Sequence, residues 1–221
     1  MRTRPFIIAI TGGSGSGKTT TAMQLVQLLA PLGADLLSED NYYKDSRNLP
    51  GFDPATYDFD RLEARDHDLL ARHLTELRAG RAVDVPDYSF VIHGRVGSSH
   101  RLVPRDVVVL EGIHCLCDPQ LLPLYDLSAF VDTPDDIRLL RRLLRDIHER
   151  GRTPETVAAQ YLATVRPAFE RWIGPSRLNA ELVVSGGDGI AGPDSPTAFG
   201  AAAQLAAAVR RAMDGWTGRE A

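Results

Sequence analysis

The chain has 221 residues, enough for one α/β domain with a complete hydrophobic core and a small inserted lobe. Its formal net charge of −4 lacks the basic excess that is typical of nucleic-acid-binding proteins, so we expect no nucleic-acid partner. No apolar stretch is long enough to span a membrane, and residues 1–5 are too short and polar for a signal peptide. Cys115 and Cys117 lie too close in sequence for a structural disulfide. We therefore expect a cytoplasmic protein without a membrane partner.

The chain begins with a predicted strand, a glycine-rich loop and a helix. Residues 6–11, FIIAIT, are apolar and rich in β-branched side chains, as in a buried parallel strand. The loop GGSGSGKT follows at 12–19, and residues 20–30 have helical character. Glycines let backbone N–H groups approach an anion closely, and the start of a helix adds a partial positive charge. The segment therefore predicts a phosphate-binding loop, with a glycine-rich surface turn as the alternative.

Two side chains of this loop have predicted chemical roles. Lys18 can reach the β- and γ-phosphates of a nucleotide, and the Thr19 hydroxyl can ligate Mg²⁺. The residues that we expect to bind the nucleotide here are Gly12, Gly13, Ser14, Gly15, Ser16, Gly17, Lys18, Thr19 and Thr20.

Strands and helices alternate along the rest of the chain, which predicts a parallel sheet covered by helices on both faces. Further strands are expected at 34–38, 107–110, 127–132 and 182–184. Helices are expected at 62–79, which Gly80 stops, and at 198–213. Residues 82–92 and 97–103 have the pattern of a hairpin, which predicts a small lobe over about 82–103. The segment TPDD at 133–136 predicts a helix start with Thr133 as its capping residue.

Two acidic residues follow predicted strands. Glu111 comes directly after 107–110, and a carboxylate at that edge of a sheet can hold Mg²⁺ beside a phosphate loop. Asp40 follows 34–38, and beside the first strand it could accept a proton from an attacking hydroxyl. The alternatives are a solvated acid for Glu111 and a turn-forming aspartate for Asp40.

A cluster of arginines at helical spacing follows residue 136. The arginines on one face are Arg138, Arg141, Arg142 and Arg145, and the apolar residues on the opposite face are Leu139, Leu140, Leu143, Leu144 and Ile147. Arg150 and Arg152 follow around Gly151, which could serve as a hinge. We expect this segment to close over a triphosphate and stabilise charge there, with a solvated basic face as the alternative.

Several motifs together resemble the uridine–cytidine kinase family, a relative of phosphoribulokinase. They are GGSGSGKTT at 12–20, DNYYKD at 40–45, PDYSFVIHGR at 86–95, VVVLEGI at 107–113, FVDTPDDIRLLRRLLRDIHERGR at 130–152 and QYLATVRPAFE at 160–170. They occur in the family's order and cover most of the chain between residue 6 and about residue 184. The resemblance implies a single P-loop kinase domain over 1–221, with a parallel β-sheet flanked by helices, the hairpin lobe and an arginine-bearing lid at about 146–165.

The resemblance also implies an activity and roles for individual residues. The implied reaction transfers the γ-phosphate of ATP or GTP to the 5′-hydroxyl of uridine or cytidine, with Mg²⁺ as cofactor, in a homotetramer. Asp40 is then the catalytic base, assisted by Lys18 and Arg145. The implied Mg²⁺ site consists of Thr19, Glu111 and Asp40, and the lid arginines that contact the nucleotide are Arg150 and Arg152. The implied acceptor-binding residues are Tyr43, Phe52, Asp53, Tyr88, His93, Arg142, Arg145 and Gln160.

Three positions depart from the family's pattern. Ser89 stands where the family usually has aspartate, the acceptor loop expected at 51–55 is GFDPA and lacks a histidine, and a proline near Ser185 is missing. These departures leave open another hydroxylated acceptor, such as a phosphorylated sugar. A P-loop ATPase switch without an acceptor is a second alternative, although the aromatic hairpin and the turn at Asp40 favour a kinase.

Overall fold

Five parallel strands form the central sheet of the computed structural model, which describes residues 4–47, 49–53, 56–187, 189 and 196–214. In chain order the strands are β1 (Phe6–Thr11), β2 (Ala34–Ser38), β3 (Val83–Ser89), β4 (Gly94–Leu102), β5 (Val107–Glu111), β6 (Leu127–Asp132) and β7 (Leu182–Ser185). The order in the central sheet is β2-β5-β1-β6-β7, and β3 pairs with β4 in a separate antiparallel sheet.

Helices cover the central sheet and connect its strands. They are α1 (Lys18–Leu28), α2 (His67–Arg78), α3 (Asp135–His148), α4 (Pro154–Gln160), α5 (Arg166–Ala168) and α6 (Pro196–Asp214). Short 3-10 helices lie at Ala30–Leu32, Glu39–Tyr42, Leu62–Ala64, Leu122–Leu124 and Pro175–Asn179, and π-helical turns lie at Tyr161–Val165 and Phe169–Ile173. No helix within the described ranges is both long and apolar enough to cross a membrane.

The central strand β1 is buried along its whole length because helices cover both faces of the sheet. Ile8 and Ile10 pack on one face, in a cluster that includes residues of α1 and α6. Ile7 and Ala9 pack on the other face, in a cluster that includes residues of α2 and β3. A strand buried on both faces needs a continuous apolar run rather than an alternating one, which is why FIIAIT forms it. The predicted parallel sheet with helices on both faces is therefore confirmed.

Neighbouring strands bring the predicted site residues to one edge of the sheet. β5 lies between β1 and β2, with Glu111 paired in register to Ile10 on one side and to Ser38 on the other. Because the three strands run in the same direction, the segments that follow them meet at the same edge. The phosphate loop, Asp40 and Glu111 come from these three segments.

The predicted hairpin is present as β3 and β4, although β4 begins at Gly94 rather than at residue 97. Gly94 pairs with Ser89, so the turn lies at 90–93, three residues earlier than the sequence pattern suggests. His93 lies in this turn with a φ of 52°, a left-handed conformation that is uncommon for a residue other than glycine. The Asn41 side-chain amide donates to the Pro86 carbonyl (3.0 Å) and so connects the hairpin to the 3-10 helix Glu39–Tyr42.

Two predicted helix starts were wrong. The helix expected from residue 62 begins at His67, because the Asp66 carboxylate accepts from the Leu69 N–H (3.0 Å) and caps α2 there. Thr133 does not cap α3, since its hydroxyl donates to the Ser16 carbonyl (3.0 Å) and Pro134 takes the capping position. Thr133 therefore connects the end of β6 to the phosphate loop.

The remaining predicted elements agree with the structure. The strand at 182–184 and the helix at 198–213 are present as β7 and α6, and Cys115 and Cys117 are free thiols. From the sequence we also expect a loop at 186–196 and a frayed end at 215–221. Most of the first segment and all of the second lie outside the described residues.

Candidate active site

The loop between β1 and α1 has the backbone geometry of a phosphate cradle. Gly15 and Gly17 have φ values of 82° and 90°, and Gly17 caps α1, whose first residue is Lys18. A Cβ atom on Gly15 would lie 2.3 Å from the Arg138 carbonyl oxygen, so a side chain there would push the loop away from α3. Both the left-handed backbone and the close approach explain why the sequence needs glycine at this position.

Glu111 and two hydroxyl groups form a compact set of oxygen atoms beside this loop. The Thr19 hydroxyl donates to Glu111 Oε2 (2.9 Å), and the Ser38 hydroxyl donates to Glu111 Oε1 (2.8 Å). Burial raises the pKa of Glu111, and the nearby Asp40 carboxylate adds to the effect. A buried carboxylate next to hydroxyl oxygens fits Mg²⁺, which prefers oxygen ligands and would supply the missing positive charge.

A cleft of about 650 Å³ opens between the phosphate loop, the hairpin turn and α3. Asp40 reaches it from the 3-10 helix that follows β2, and its carboxylate is about half exposed. Many residues predicted from the sequence line this cleft: Ser14, Lys18, Asp40, Tyr43, His93, Arg142, Arg145, Arg150, Arg152 and Gln160. The lining residues that sequence reasoning missed are Phe59, Asp60, Arg65, Phe90, Val91, Ile113 and Glu149.

Aromatic rings form one wall of the cleft. Phe59 stacks on His93 with ring centroids 5.0 Å apart, and Tyr43 meets Phe59 and Phe90 edge to face. Burial lowers the pKa of His93, and the charge of Arg152 lowers it further, so the imidazole is neutral at pH 7. A neutral imidazole beside stacked rings can both hydrogen-bond the edge of a heterocycle and contact its face.

Tyr88 and Phe52 lie behind this wall rather than in it. The Tyr88 ring stacks on Tyr43 at 5.0 Å, and its buried hydroxyl has no hydrogen-bond partner among the described residues. Phe52 meets the rings of Phe59 and His93 edge to face. Both residues therefore support the wall, although neither lines the cleft.

The described part of the acceptor loop predicted at 51–55 does not line the cleft, and its role stays a prediction. Asp53 is exposed and lies outside the cleft, and its carboxylate interacts with the Thr56 hydroxyl (3.2 Å); Pro54 and Ala55 lie outside the described residues. Asp60 lines the cleft instead, buried, with Oδ2 accepting from the Thr164 hydroxyl (3.1 Å). The chain contains two Phe-Asp pairs, at 52–53 and 59–60, and local sequence alone does not distinguish them.

Four arginines at the cleft share one buried carboxylate, that of Asp146. The distances from its oxygens are 2.8 Å to Arg145, 3.3 Å to Arg150 and Arg152, and 3.7 Å to Arg142. Burial would raise the pKa of Asp146, but the surrounding arginines outweigh it and lower the pKa. Asp146 therefore relieves the mutual repulsion of cations gathered where a polyphosphate would bind.

Arg142 connects this cluster to the phosphate loop and to α4. It donates to the Ser14 hydroxyl (2.8 Å) and to the Gln160 side-chain carbonyl (2.9 Å). Burial lowers the pKa of Arg142, and neighbouring Arg145 and Arg150 lower it as well. The cluster thus has excess positive charge that an anion in the cleft would compensate.

Two members of the predicted arginine face do not line the cleft. The Arg138 guanidinium lies 3.7 Å from the centre of the Phe169 ring and pairs with Asp135. Arg141 donates to backbone carbonyls, including that of Gly186 (3.0 Å). Of the four arginines predicted to form one anion-binding face, Arg142 and Arg145 therefore line the cleft and these two do not, and anion binding itself stays a prediction.

Comparison with known proteins gives a consistent picture. The sequence matches the Phosphoribulokinase / Uridine kinase family over residues 7–189. Proteins named uridine kinase from Shewanella sp. strain ANA-3 and Shewanella baltica strain OS185 are each 45% identical to it over 185 residues, which cover 82% of this chain and 87% of theirs.

Solved structures of other kinases share the fold at low sequence identity. D-glycerate 3-kinase from Cryptococcus neoformans superposes with a TM-score of 0.58 at 16% identity, over 86% of this chain and 89% of that one. Shikimate kinase from Bacteroides thetaiotaomicron superposes with a TM-score of 0.53 at 15% identity, over 93% and 98%.

Proposed function

Because the chain belongs to the phosphoribulokinase/uridine kinase family, we propose that it is a pyrimidine nucleoside kinase. The reaction transfers the γ-phosphate of ATP or GTP to the 5′-hydroxyl of uridine or cytidine and yields UMP or CMP, a salvage reaction. Relatives named uridine kinase, 45% identical over most of the chain, support this substrate class. The observation that carries the proposal is one cleft in which Lys18, Asp40 and an aromatic wall lie together.

The donor nucleotide binds through its phosphates in this proposal. Backbone N–H groups of residues 12–20 and the Lys18 ammonium hold the β- and γ-phosphates. Thr19 and Glu111, with Asp40 nearby, would hold the Mg²⁺ ion, whose chemistry is to neutralise phosphate charge. The arginines around Asp146 line the same cleft, where Arg150 and Arg152 would contact the phosphates as the lid closes.

The acceptor nucleoside binds against the aromatic wall. Its base contacts Tyr43, Phe59 and His93, and its ribose hydroxyls hydrogen-bond to the buried Asp60 carboxylate. Arg142, Arg145 and Gln160 complete the acceptor site, and Tyr88 supports Tyr43 from behind. Phe59 and Asp60 take the roles that the sequence resemblance assigned to Phe52 and Asp53.

The chemical step needs positioning and charge compensation more than a strong base. Asp40 accepts the proton of the 5′-hydroxyl as that oxygen attacks the γ-phosphorus and the bond to the β-phosphate oxygen breaks. Lys18 and Arg145 stabilise negative charge that moves onto the transferred and leaving phosphate oxygens. An ordinary aspartate suffices because the bound alcohol is held in line with the phosphorus.

The test measures ADP release from ATP and Mg²⁺ with and without uridine. A nucleoside kinase releases ADP only when an acceptor is present, and Lys18→Ala abolishes that release. Cytidine, ribulose 5-phosphate and pantothenate serve as comparison acceptors. ADP release that is independent of uridine would indicate an ATPase, and turnover with ribulose 5-phosphate alone would indicate a sugar-phosphate kinase.

The family resemblance further suggests a homotetramer, which stays a proposal. Sedimentation equilibrium of the full chain, with and without MgATP, measures the mass directly. A mass of four chains supports the proposal and a mass of one chain contradicts it.

A further inference from the structure

A buried cation, Arg65, lies directly behind Asp40. Its side chain is 1% exposed, and its backbone pairs with Tyr43 in an isolated β-bridge. Backbone hydrogen bonds from Lys44 to Ala64 (2.9 Å) and from Asp66 to Tyr42 (2.8 Å) flank this bridge. Arg65 is therefore held rigidly against the segment that carries Asp40.

The Arg65 guanidinium contacts several groups at once. Nη2 donates to the Tyr43 hydroxyl (2.7 Å), Nη1 donates to the Phe59 carbonyl (3.0 Å), and the guanidinium carbon lies 4.1 Å from the centre of the Tyr43 ring. Nε lies 3.4 Å from the Glu39 carboxylate, and Nη2 lies 3.4 Å from Asp40 Oδ1. One planar side chain thus joins the carboxylate of Asp40 to the Tyr43 ring and the Phe59 backbone in the aromatic wall.

Glu39 holds Arg65 from the side that faces the core. Glu39 is fully buried, its Oε1 lies 2.9 Å from His67 Nε2, and its Oε2 accepts from the His114 N–H (3.0 Å). These contacts fix the Glu39 carboxylate beside the buried Arg65 guanidinium. A lysine could not replace this arrangement, because its ammonium is a point charge without the planar fork that reaches separate acceptors.

We propose that Arg65 is a positioning residue for the phosphoryl transfer. It holds the Asp40 carboxylate, the Tyr43 ring and the Phe59 backbone in one geometry, so that an acceptor hydroxyl bound against the wall meets the carboxylate. This inference rests on the proposed function, since it needs an alcohol as acceptor. Arg65 acts through Asp40 and the wall and is no proton acceptor itself.

The test compares Arg65→Met with Arg61→Met, a matched control in the same segment. Arg61 is exposed, lies outside the cleft and bonds to the Tyr57 hydroxyl. We expect Arg65→Met to lower kcat with uridine by about 10-fold to 100-fold, because displacement of a reacting group by about 1 Å has effects of that size. The Kd for MgATP, measured by calorimetry, stays at the wild-type value, and Arg61→Met changes neither quantity.

Each kcat is divided by the number of ATP-binding sites counted by calorimetry, so that loss of folded protein does not imitate the effect. Arg65→Lys keeps the charge without the fork and recovers only part of the rate. If Arg65→Met binds no MgATP, kcat with uridine per ATP site is compared between two other variants. They are Glu39→Gln/Arg65→Met, which removes both buried charges, and Glu39→Gln alone.

Two results would overturn the inference. They are a wild-type kcat per ATP site when Arg65 is replaced by methionine, and full activity of Arg65→Lys. Absence of uridine-dependent turnover in the wild-type chain would instead refute the proposed function.

Discussion

Three carboxylates lie around the cleft, and each has different surroundings. Asp40 is half exposed and paired with Arg65. Glu111 is buried and accepts hydrogen bonds from Thr19 and Ser38. Asp60 is buried beside Thr164. The accessible carboxylate suits proton acceptance and the buried one between hydroxyls suits a cation, so burial and partners separate roles that the residue types do not.

Replacement of Asp40 tests its role as the base. Asp40→Asn keeps the shape of the side chain and removes the proton acceptor, so we expect kcat with uridine to fall by about 10²- to 10⁴-fold. The Kd for MgATP, measured by calorimetry, stays close to the wild-type value. Asp45→Asn is the control, because Asp45 lies in the same segment, pairs with Arg47 and does not line the cleft. Wild-type turnover of Asp40→Asn would exclude Asp40 as the base.

Asp60 and Asp53 form a matched pair for the ribose contact. Each follows a phenylalanine, but only Asp60 lines the cleft. Asp60→Asn should raise KM for uridine by about 10-fold to 100-fold, because a hydrogen bond to a charged group contributes about 1.5–3 kcal/mol. Asp53→Asn should leave that KM unchanged. Initial rates at varied uridine and saturating ATP measure both, and the opposite ranking would restore Asp53 as the ribose ligand.

At the scale of elements, α3 has its charged face inward. Its buried residues include Arg138, Arg142 and Asp146, whereas Leu140 and Leu144 are exposed. The periodicity of the sequence correctly separates the two faces of the helix. Periodicity alone would place the apolar face of α3 against the core, as in most helices. The reversal arises because the charged face of α3 packs against the phosphate loop and the cleft.

The carboxylate of Asp146 balances this charged face. Asp146→Asn should lower the free energy of unfolding by about 3–5 kcal/mol, because loss of one partner leaves buried charges uncompensated. Phosphate charge can replace the missing carboxylate, so the deficit should shrink in saturating MgATP. Urea unfolding with and without MgATP measures both values.

The control for this experiment is Asp136→Asn. Asp136 is an exposed acid in the first turn of the same helix, so its replacement should change the free energy of unfolding by less than about 0.5 kcal/mol. An Asp146→Asn deficit that MgATP leaves unchanged would mean that the arginines do not contact the phosphates.

At the scale of the whole molecule, the strand order β2-β5-β1 assembles the site. Residues distant in sequence, such as Lys18 and Glu111, meet because they follow adjacent parallel strands. The hairpin and α3 then close the cleft from two sides. A kinase needs such an enclosure because water would otherwise compete with the acceptor for the phosphate. The prediction of a single domain over 1–221 stays a prediction.

The stability of the molecule should depend on pH through His67. Its ring nitrogens lie 2.9 Å from Glu39 and 3.0 Å from Asp118. Burial would lower the pKa of His67, but the two carboxylates outweigh it and raise the pKa above the ordinary value of 6.5. A raised pKa means that protonated His67 stabilises the folded state. This contribution is complete below pH 6.5 and is lost as the pH rises through the folded-state pKa.

The variant His67→Gln measures this contribution. Its free energy of unfolding should be lower than that of the wild type by about 1.5–3 kcal/mol near pH 5.5, and the difference should shrink towards about pH 9. Glu39 does not contribute to the slope in this interval, because its pKa of about 2 in the folded state and ordinary value of 4.5 both lie below it. Guanidinium unfolding at several pH values gives the difference, and a constant difference would mean that His67 is neutral when folded.

The sequence by itself determined the local chemistry of this protein. The phosphate loop, the apolar strands, the hairpin and Asp40 were all predictable, because glycine spacing, β-branched runs and turn residues act over a few neighbouring positions. Only the tertiary structure decided which Phe-Asp pair reaches the cleft, which face of α3 is buried, and that Arg65 lies behind Asp40. These outcomes depend on contacts between residues far apart in the chain, and short-range sequence patterns carry no information about such contacts.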